Sequence, residues 1–145
     1  KHIRGDGRAR ITRLSFGAKE SAEPLFAVFS PLSITLHYTF AETPEPLDFF
    51  LLFYDDNGDC LLSSFQSDSG TITHPQQKTG SVTATFQNPF LPGHYLVSAG
   101  LFDRSRQFLD WVEFAEGFRV EAAFASGKNF DQRLGRMSIK PEWQG

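Results

Sequence analysis

Residues 101–114, LFDRSRQFLDWVEF, set Arg104 and Arg106 a few positions before Trp111, one of only two tryptophans in the 145-residue chain. Guanidinium groups are planar donors suited to hydroxyl and anionic oxygens, and an indole ring is a large apolar surface. Together they suit a sugar, with the ring under the apolar face of a pyranose and the polar side chains bonding its hydroxyls. A plainer account stands beside this one. Arg104 and Arg106 alternate with Asp103, Ser105 and Asp110, as in a solvated turn whose local ion pairs contribute little. Trp111 would then fill a cross-strand gap or lie under the tail. The polar loop QSDSGTITHPQQ (66–77) supplies Gln66, Asp68 and His74, the donors and acceptors a glycan site needs, although most such loops only connect strands.

Other chemistries lack their residues. SGKN (126–129) has neither the first glycine nor the Ser/Thr of a phosphate-binding loop, and GxSxG is absent. His2, His37, His74 and His94 lie far apart, and Cys60 is the single cysteine. A disulfide is therefore impossible within the chain, and a Cys/His metal framework is not expected. One cysteine also fits a reducing compartment. Asp55 and Asp56 precede Asn57-Gly58 and read as turn formers rather than an acid/base pair. No enzymatic activity, cofactor or metal is expected. A net charge of −3, a pI near 5.8 and no basic stripe argue against nucleic acid. No apolar run approaches the roughly 20 residues of a membrane-spanning helix.

The elements that would position these residues are strands. In LSITLHYTF, Leu32, Ile34, Leu36, Tyr38 and Phe40 share one face and Ser33, Thr35, His37 and Thr39 the other. RARITRLSF (8–16) slips register between Ile11 and Leu14, the mark of a bulge. LDFFLLFYDDNGDCLLSSF (47–65) reads as a hairpin about Asn57-Gly58. GSVTATFQ, GHYLVSAGLF and WVEFAEGFRV alternate too, the last with Val112, Phe114, Phe118 and Val120 in phase. About seven strands and no sustained helical period predict an all-β, immunoglobulin-like antiparallel sandwich over residues 1–122. Tyr95, just after Pro92-Gly93, is placed for a tyrosine corner. By parity Leu101 points inward while Ser98, Gly100 and Trp111 point outward, leaving a large ring beside a bare patch of backbone. Residues 47–54 are apolar on both faces, which calls for an exchanged tail strand or a partner domain over the outer one. The tail, 123–145, has a thin pattern in which Leu134, Met137 and Ile139 suggest one strand, paired on its own body or on a twin's.

GDGRARITRLSF, FYDDNGDCLL, NPFLPGHYLVSAGLFD and FRVE, in that order, resemble the C-terminal domain of Wzt, the ATPase subunit of ABC transporters that export O-antigen polysaccharide. The resemblance spans about Gly5 to Glu121. It implies a non-catalytic carbohydrate-binding module that reads the capped non-reducing end of the glycan. Its setting would be cytoplasmic, at the inner membrane, with an upstream nucleotide-binding domain and a membrane transporter subunit. The start at Lys1 rather than Met fits such a piece of a longer protein. Strand exchange through the tail would make a homodimer. The alternative is an immunoglobulin-like interaction or dimerisation module with no sugar ligand. No site residue follows from the resemblance itself. Trp111, Ser98, Gly100, Arg104, Arg106, Gln66, Asp68 and His74 stand on parity and composition.

Overall fold

The computed structural model describes residues 2–17 and 23–145, with residues 2–4 by backbone alone. Alternating residues in these segments require two sheets facing each other across one apolar layer, and two sheets form. The larger runs β1 (His2–Arg4), β9 (Phe108–Phe124), β8 (Gly93–Phe102), β5 (Asp48–Asp55) and β6 (Cys60–Phe65), with β3 (Leu25–Val28) pairing the C-terminal half of β9 in parallel. The smaller runs β2 (Ala9–Ser15), β4 (Pro31–Phe40) and β7 (Thr79–Gln87). A single 3₁₀ turn, Gln66–Ser69, follows β6. Leu32, Ile34 and Leu36 of β4 meet Phe49, Leu51 and Phe53 of β5 and Val97, Ala99 and Leu101 of β8 in the shared core.

The β-sandwich is as expected, and several local details match. The register of β2 against β4 slips between Ile11 and Arg13. The N–H of Ile11 is taken by the buried Asp110 carboxylate, 2.8 Å away. Asp110 thus ties one sheet to the other at the bulge rather than joining a solvated tip. The Tyr95 hydroxyl donates to the Leu91 carbonyl at 2.5 Å, as a tyrosine corner does. Gly58 closes the β5–β6 turn at φ 82°, in the left-handed region that Asn-Gly turns use.

Five points differ from expectation. β1 and β3 were not foreseen, being 3 and 4 residues long. Phe114 does not point inward: Val97 pairs with Glu116 and Ala99 with Val112, so Glu113, Phe114 and Ala115 bulge opposite Ser98. Phe114 takes φ 49° and lays its ring against Tyr54 on the outside, centroids 4.9 Å apart. The tail forms no strand of its own. Met137 makes one bridge to Phe90, and the N–H of Ser138 donates to the Pro89 carbonyl. Strand pairing also runs past residue 122, because β9 continues to Phe124 and Phe130 is buried against Phe29 and Phe124. Finally, the outer face of β5 is covered at Phe50 by the chain's own rings, while Leu52 and Tyr54 keep part of their surface in solvent.

Candidate functional site: an aromatic face with a charged border

Phe50 is the centre of that cover. On the outer side of the larger sheet it lies against Phe65 of β6, Phe102 of β8 and Trp111 of β9, with centroids 5.7, 5.1 and 5.7 Å away. Phe108 closes the row, stacked on Trp111 at 5.4 Å and packed on Phe102 at 4.5 Å. A second shift in β9, between the pairs Leu101–Asp110 and Phe102–Phe108, is what brings Phe108 onto this face. Phe50 and Phe102 are buried, while Phe65, Phe108 and Trp111 keep part of their surface in solvent. The result is a five-ring apolar strip across four strands.

Trp111 stands opposite Gly100, as strand parity requires, but the backbone beside it is not bare. The Phe50 ring covers Gly100 so closely that a Cβ there would sit 2.2 Å from its Cζ. Ser98 is fully buried, and its Oγ accepts the N–H of the bulged Phe114 at 2.8 Å. Gly100 and Ser98 therefore support the face from beneath instead of lining it. The Trp111 Nε1–H is buried and has no acceptor among the described residues, an unusual state for an indole donor.

The charged border begins at the β8–β9 tip. Asp103 to Gln107 form a five-residue turn: the Asp103 N–H donates to the Gln107 carbonyl, and the Gln107 N–H to the Asp103 carboxylate. Arg106 occupies its left-handed position, φ 66°, where Gly or Asn is the usual choice. Its side chain accounts for the choice. Nη1 donates to the buried Asp48 carboxylate at 2.6 Å, and the guanidinium lies 4.4 Å from the Phe102 ring centre. The other Asp48 oxygen accepts the Ser67 N–H at 3.0 Å, linking the tip to the 3₁₀ turn. Asp103 instead pairs with Arg8 at 2.7 Å, and Arg8 also holds Asp6 and Glu45. Burial would raise the Asp103 carboxyl, but hydrogen bonds from Arg8, Gln107 and Ser105 outweigh it and hold it below the usual carboxylate range. The ion pairs of the tip are thus long-range, not local.

Arg104 projects from the tip, exposed. Gln66 is half-buried, its amide donating to Thr73 Oγ1 at 2.9 Å, and Asp68 is exposed on the 3₁₀ turn. His74 lies farther along the same loop, beside a shallow hollow shared with Ser67, Gly70 and Ile72. Arg106 and the 3₁₀ turn thus meet at Asp48, beside the Phe102 edge of the strip. Phe50, Phe65, Phe102 and Phe108 are the residues sequence reasoning missed; Phe102 and Phe108 at equal distances from the tip were the available signal.

At the opposite end of the sheet His94 sits between two carboxylates, Nδ1 2.5 Å from Asp56 and Nε2 2.9 Å from Glu23. Both ring nitrogens must donate, so the imidazolium is favoured, and the hydrogen bond to Asp56, then that to Glu23, raises its pKa. Arg136 of the tail pairs with Asp55 nearby. Among the described residues, which exclude the His2 side chain, no group of three His, Cys, Asp or Glu is arranged to hold a metal. No helix among the described residues is long and apolar enough to cross a membrane.

The model of the family described as Wzt C-terminal domain matches residues 1–133. The chain belongs to the Wzt C-terminal domain family. This is a non-catalytic domain family, and membership is consistent with a carbohydrate-binding module. Among solved structures, the crystal structure of the C-terminal domain of wzt superposes with a TM-score of 0.78 at 13% identity, covering 100% of this chain and 89% of that one. A Niemann-Pick type C2 protein from Japanese carpenter ant shares the sandwich, with a TM-score of 0.57 at 8% identity over 83% of this chain and 98% of its own. At such identities the likeness is one of fold. No curated protein matches the sequence.

Proposed function

We propose that this domain binds the capped non-reducing end of an O-antigen polysaccharide on the outer aromatic face and couples it to export. The observation that carries the reading is the five-ring strip bordered by Arg106 and Asp48. Stacked rings offer apolar area to pyranose faces, and the border offers charged donors and acceptors to hydroxyls. Trp111, Phe108 and Phe65 form the platform. Arg104, Arg106, Gln66, Asp68 and His74 reach the hydroxyls or cap from the border, while Ser98 and Gly100 hold the platform in shape. An upstream nucleotide-binding domain, a membrane transporter subunit and a position at the cytoplasmic side of the inner membrane complete the setting.

The test is titration of capped and uncapped polysaccharide, followed by calorimetry and NMR shift mapping. Trp111→Ala and Phe108→Ala should each lower affinity about tenfold, the equivalent of roughly 1.4 kcal/mol, with circular dichroism unchanged. Unaltered affinity in both variants, or no response to any O-polysaccharide of the source organism, rejects it.

A second reading, an interaction module that dimerises through residues 123–145, is favoured by the tail's exposed side chains: Leu134 is 98% exposed, Ile139 73% and Trp143 90%. Light scattering of a chain ending at Phe130 distinguishes the two. A dimer that persists after truncation rules out exchange of residues 131–145.

A further inference from the structure

β6 and β7 are edges of different sheets and do not pair with each other. Between them opens a cleft of about 540 Å³, inside the roughly 300–1,000 Å³ range of small-molecule sites. Its floor is Leu36, Leu51 and Phe53; its walls are Leu62 of β6 with Val82 and Phe86 of β7. The burial pattern marks the same place independently. Val82, Ala84 and Phe86 have the parity of core residues and pair with Leu36, Ile34 and Leu32. Those three are buried to 1% exposure or less, whereas the β7 residues are only partly buried. The fold turns apolar surface inward here and leaves it uncovered by protein.

The lining also says what suits it. Among the described residues no Asp, Glu, Lys, Arg or His borders the cleft; its polar side chains carry hydroxyls and one amide, among them Ser64, Gln66, Ser69, Thr71 and Thr83. An ion would lose hydration without a counter-charge. A strand from a second copy would pair along one sheet edge and lengthen that sheet. It would leave the slot between the sheets, about 10 Å across in such folds, unfilled. A slender apolar chain enters that slot edge-on.

We propose that the β6–β7 cleft binds a neutral amphiphile, its linear alkyl or acyl chain between the sheets and its hydroxylated head group at the mouth. This site borders the aromatic face at Phe50, Phe65 and Gln66, which line both, but its apolar wall is Val82, Ala84 and Phe86 of the smaller sheet, which the glycan reading does not use.

The probes are n-hexyl to n-decyl β-maltosides below their micelle concentrations, with maltose and decanoate as controls, added to the 145-residue protein and read by calorimetry and NMR shift mapping. Affinity should rise about threefold to fourfold per added methylene. Shifts should concentrate at Leu62, Val82, Ala84 and Phe86, with maltose giving none there and decanoate binding several-fold more weakly. Ala84→Trp should fill the cleft and weaken decyl maltoside at least tenfold with the melting curve retained; if that variant does not fold, Val82→Phe serves. The proposal is overturned by affinity independent of chain length, by shifts centred on Trp111 and Phe108, by decanoate binding as tightly as decyl maltoside, or by a folded Ala84→Trp protein that binds unchanged.

Discussion

Gly100→Ala tests whether the aromatic face is held by contact or merely adjacent. The added Cβ would stand 2.2, 2.4 and 2.5 Å from three atoms of the Phe50 ring. Carbon atoms settle near 3.5–4.0 Å, so the ring must retreat by more than about 1 Å. Its retreat is opposed on several sides, by Phe65, Phe102, Phe108 and Trp111. Overpacking of this kind costs about 1–3 kcal/mol. Replacing a mid-strand glycine returns roughly 0.5–1 kcal/mol. The net expectation is a loss of about 1–2 kcal/mol, a fall of roughly 3–7 °C in Tm for a domain of this size. Urea and thermal melts measure it. Repeating the substitution in a Phe50→Leu background completes a double-mutant cycle, in which about 1 kcal/mol of coupling should appear. A cost below about 0.5 kcal/mol, or the same cost in both backgrounds, refutes the account.

Three further outcomes are expected. Asn88 is fully buried, its amide donating to the Ala27 and Ser30 carbonyls and its Oδ1 accepting the Phe90 N–H, so Asn88→Ala should cost about 2–3 kcal/mol in urea melts. Arg106→Gly should relieve the left-handed backbone by roughly 1–2 kcal/mol while losing the Asp48 pair, leaving Tm nearly unchanged but glycan affinity reduced; a large Tm loss contradicts it. The raised pKa of His94 means that its clamp contributes fully below the unfolded value near 6.5 and fades as pH climbs through the higher folded value. The Tm difference between wild type and His94→Gln should therefore shrink with rising pH, and a difference growing with pH would contradict the assignment.

What could be read directly from sequence was whatever repeats every two residues. Leu32 to Phe40, the Asn57-Gly58 hairpin and the slip near Ile11 each declare themselves within ten residues. β1 and β3 are too short to show a period, and their partner in β9 lies about a hundred residues away. Parity fails only inside the bulge: Glu113–Ala115 insert two extra residues, so Val112, Phe118 and Val120 stay in phase and buried, while Phe114 within the bulge turns to the other face. Gly100 looked open because a glycine reveals its own missing side chain and not the neighbouring strand's register. Only the pairing of Phe50 with Gly100 shows which ring occupies the gap. Arg106 is the opposite case, since its place at a turn position suited to glycine is visible only in φ, whereas its charge is visible in sequence.

β9 also sets the order in which the chain can be assembled. It is the partner of β1 at His2–Val112 and of β3 at Leu25–Arg119, so both early strands are synthesised long before their neighbour exists. Until Phe108–Phe124 emerges, β8 presents an open edge that invites association with other chains. Pairings this distant in sequence make for slow folding, in the millisecond-to-second range. The larger sheet is therefore completed in one late step, when its last strand zips against β8 and gathers in the two that have waited since the N-terminus.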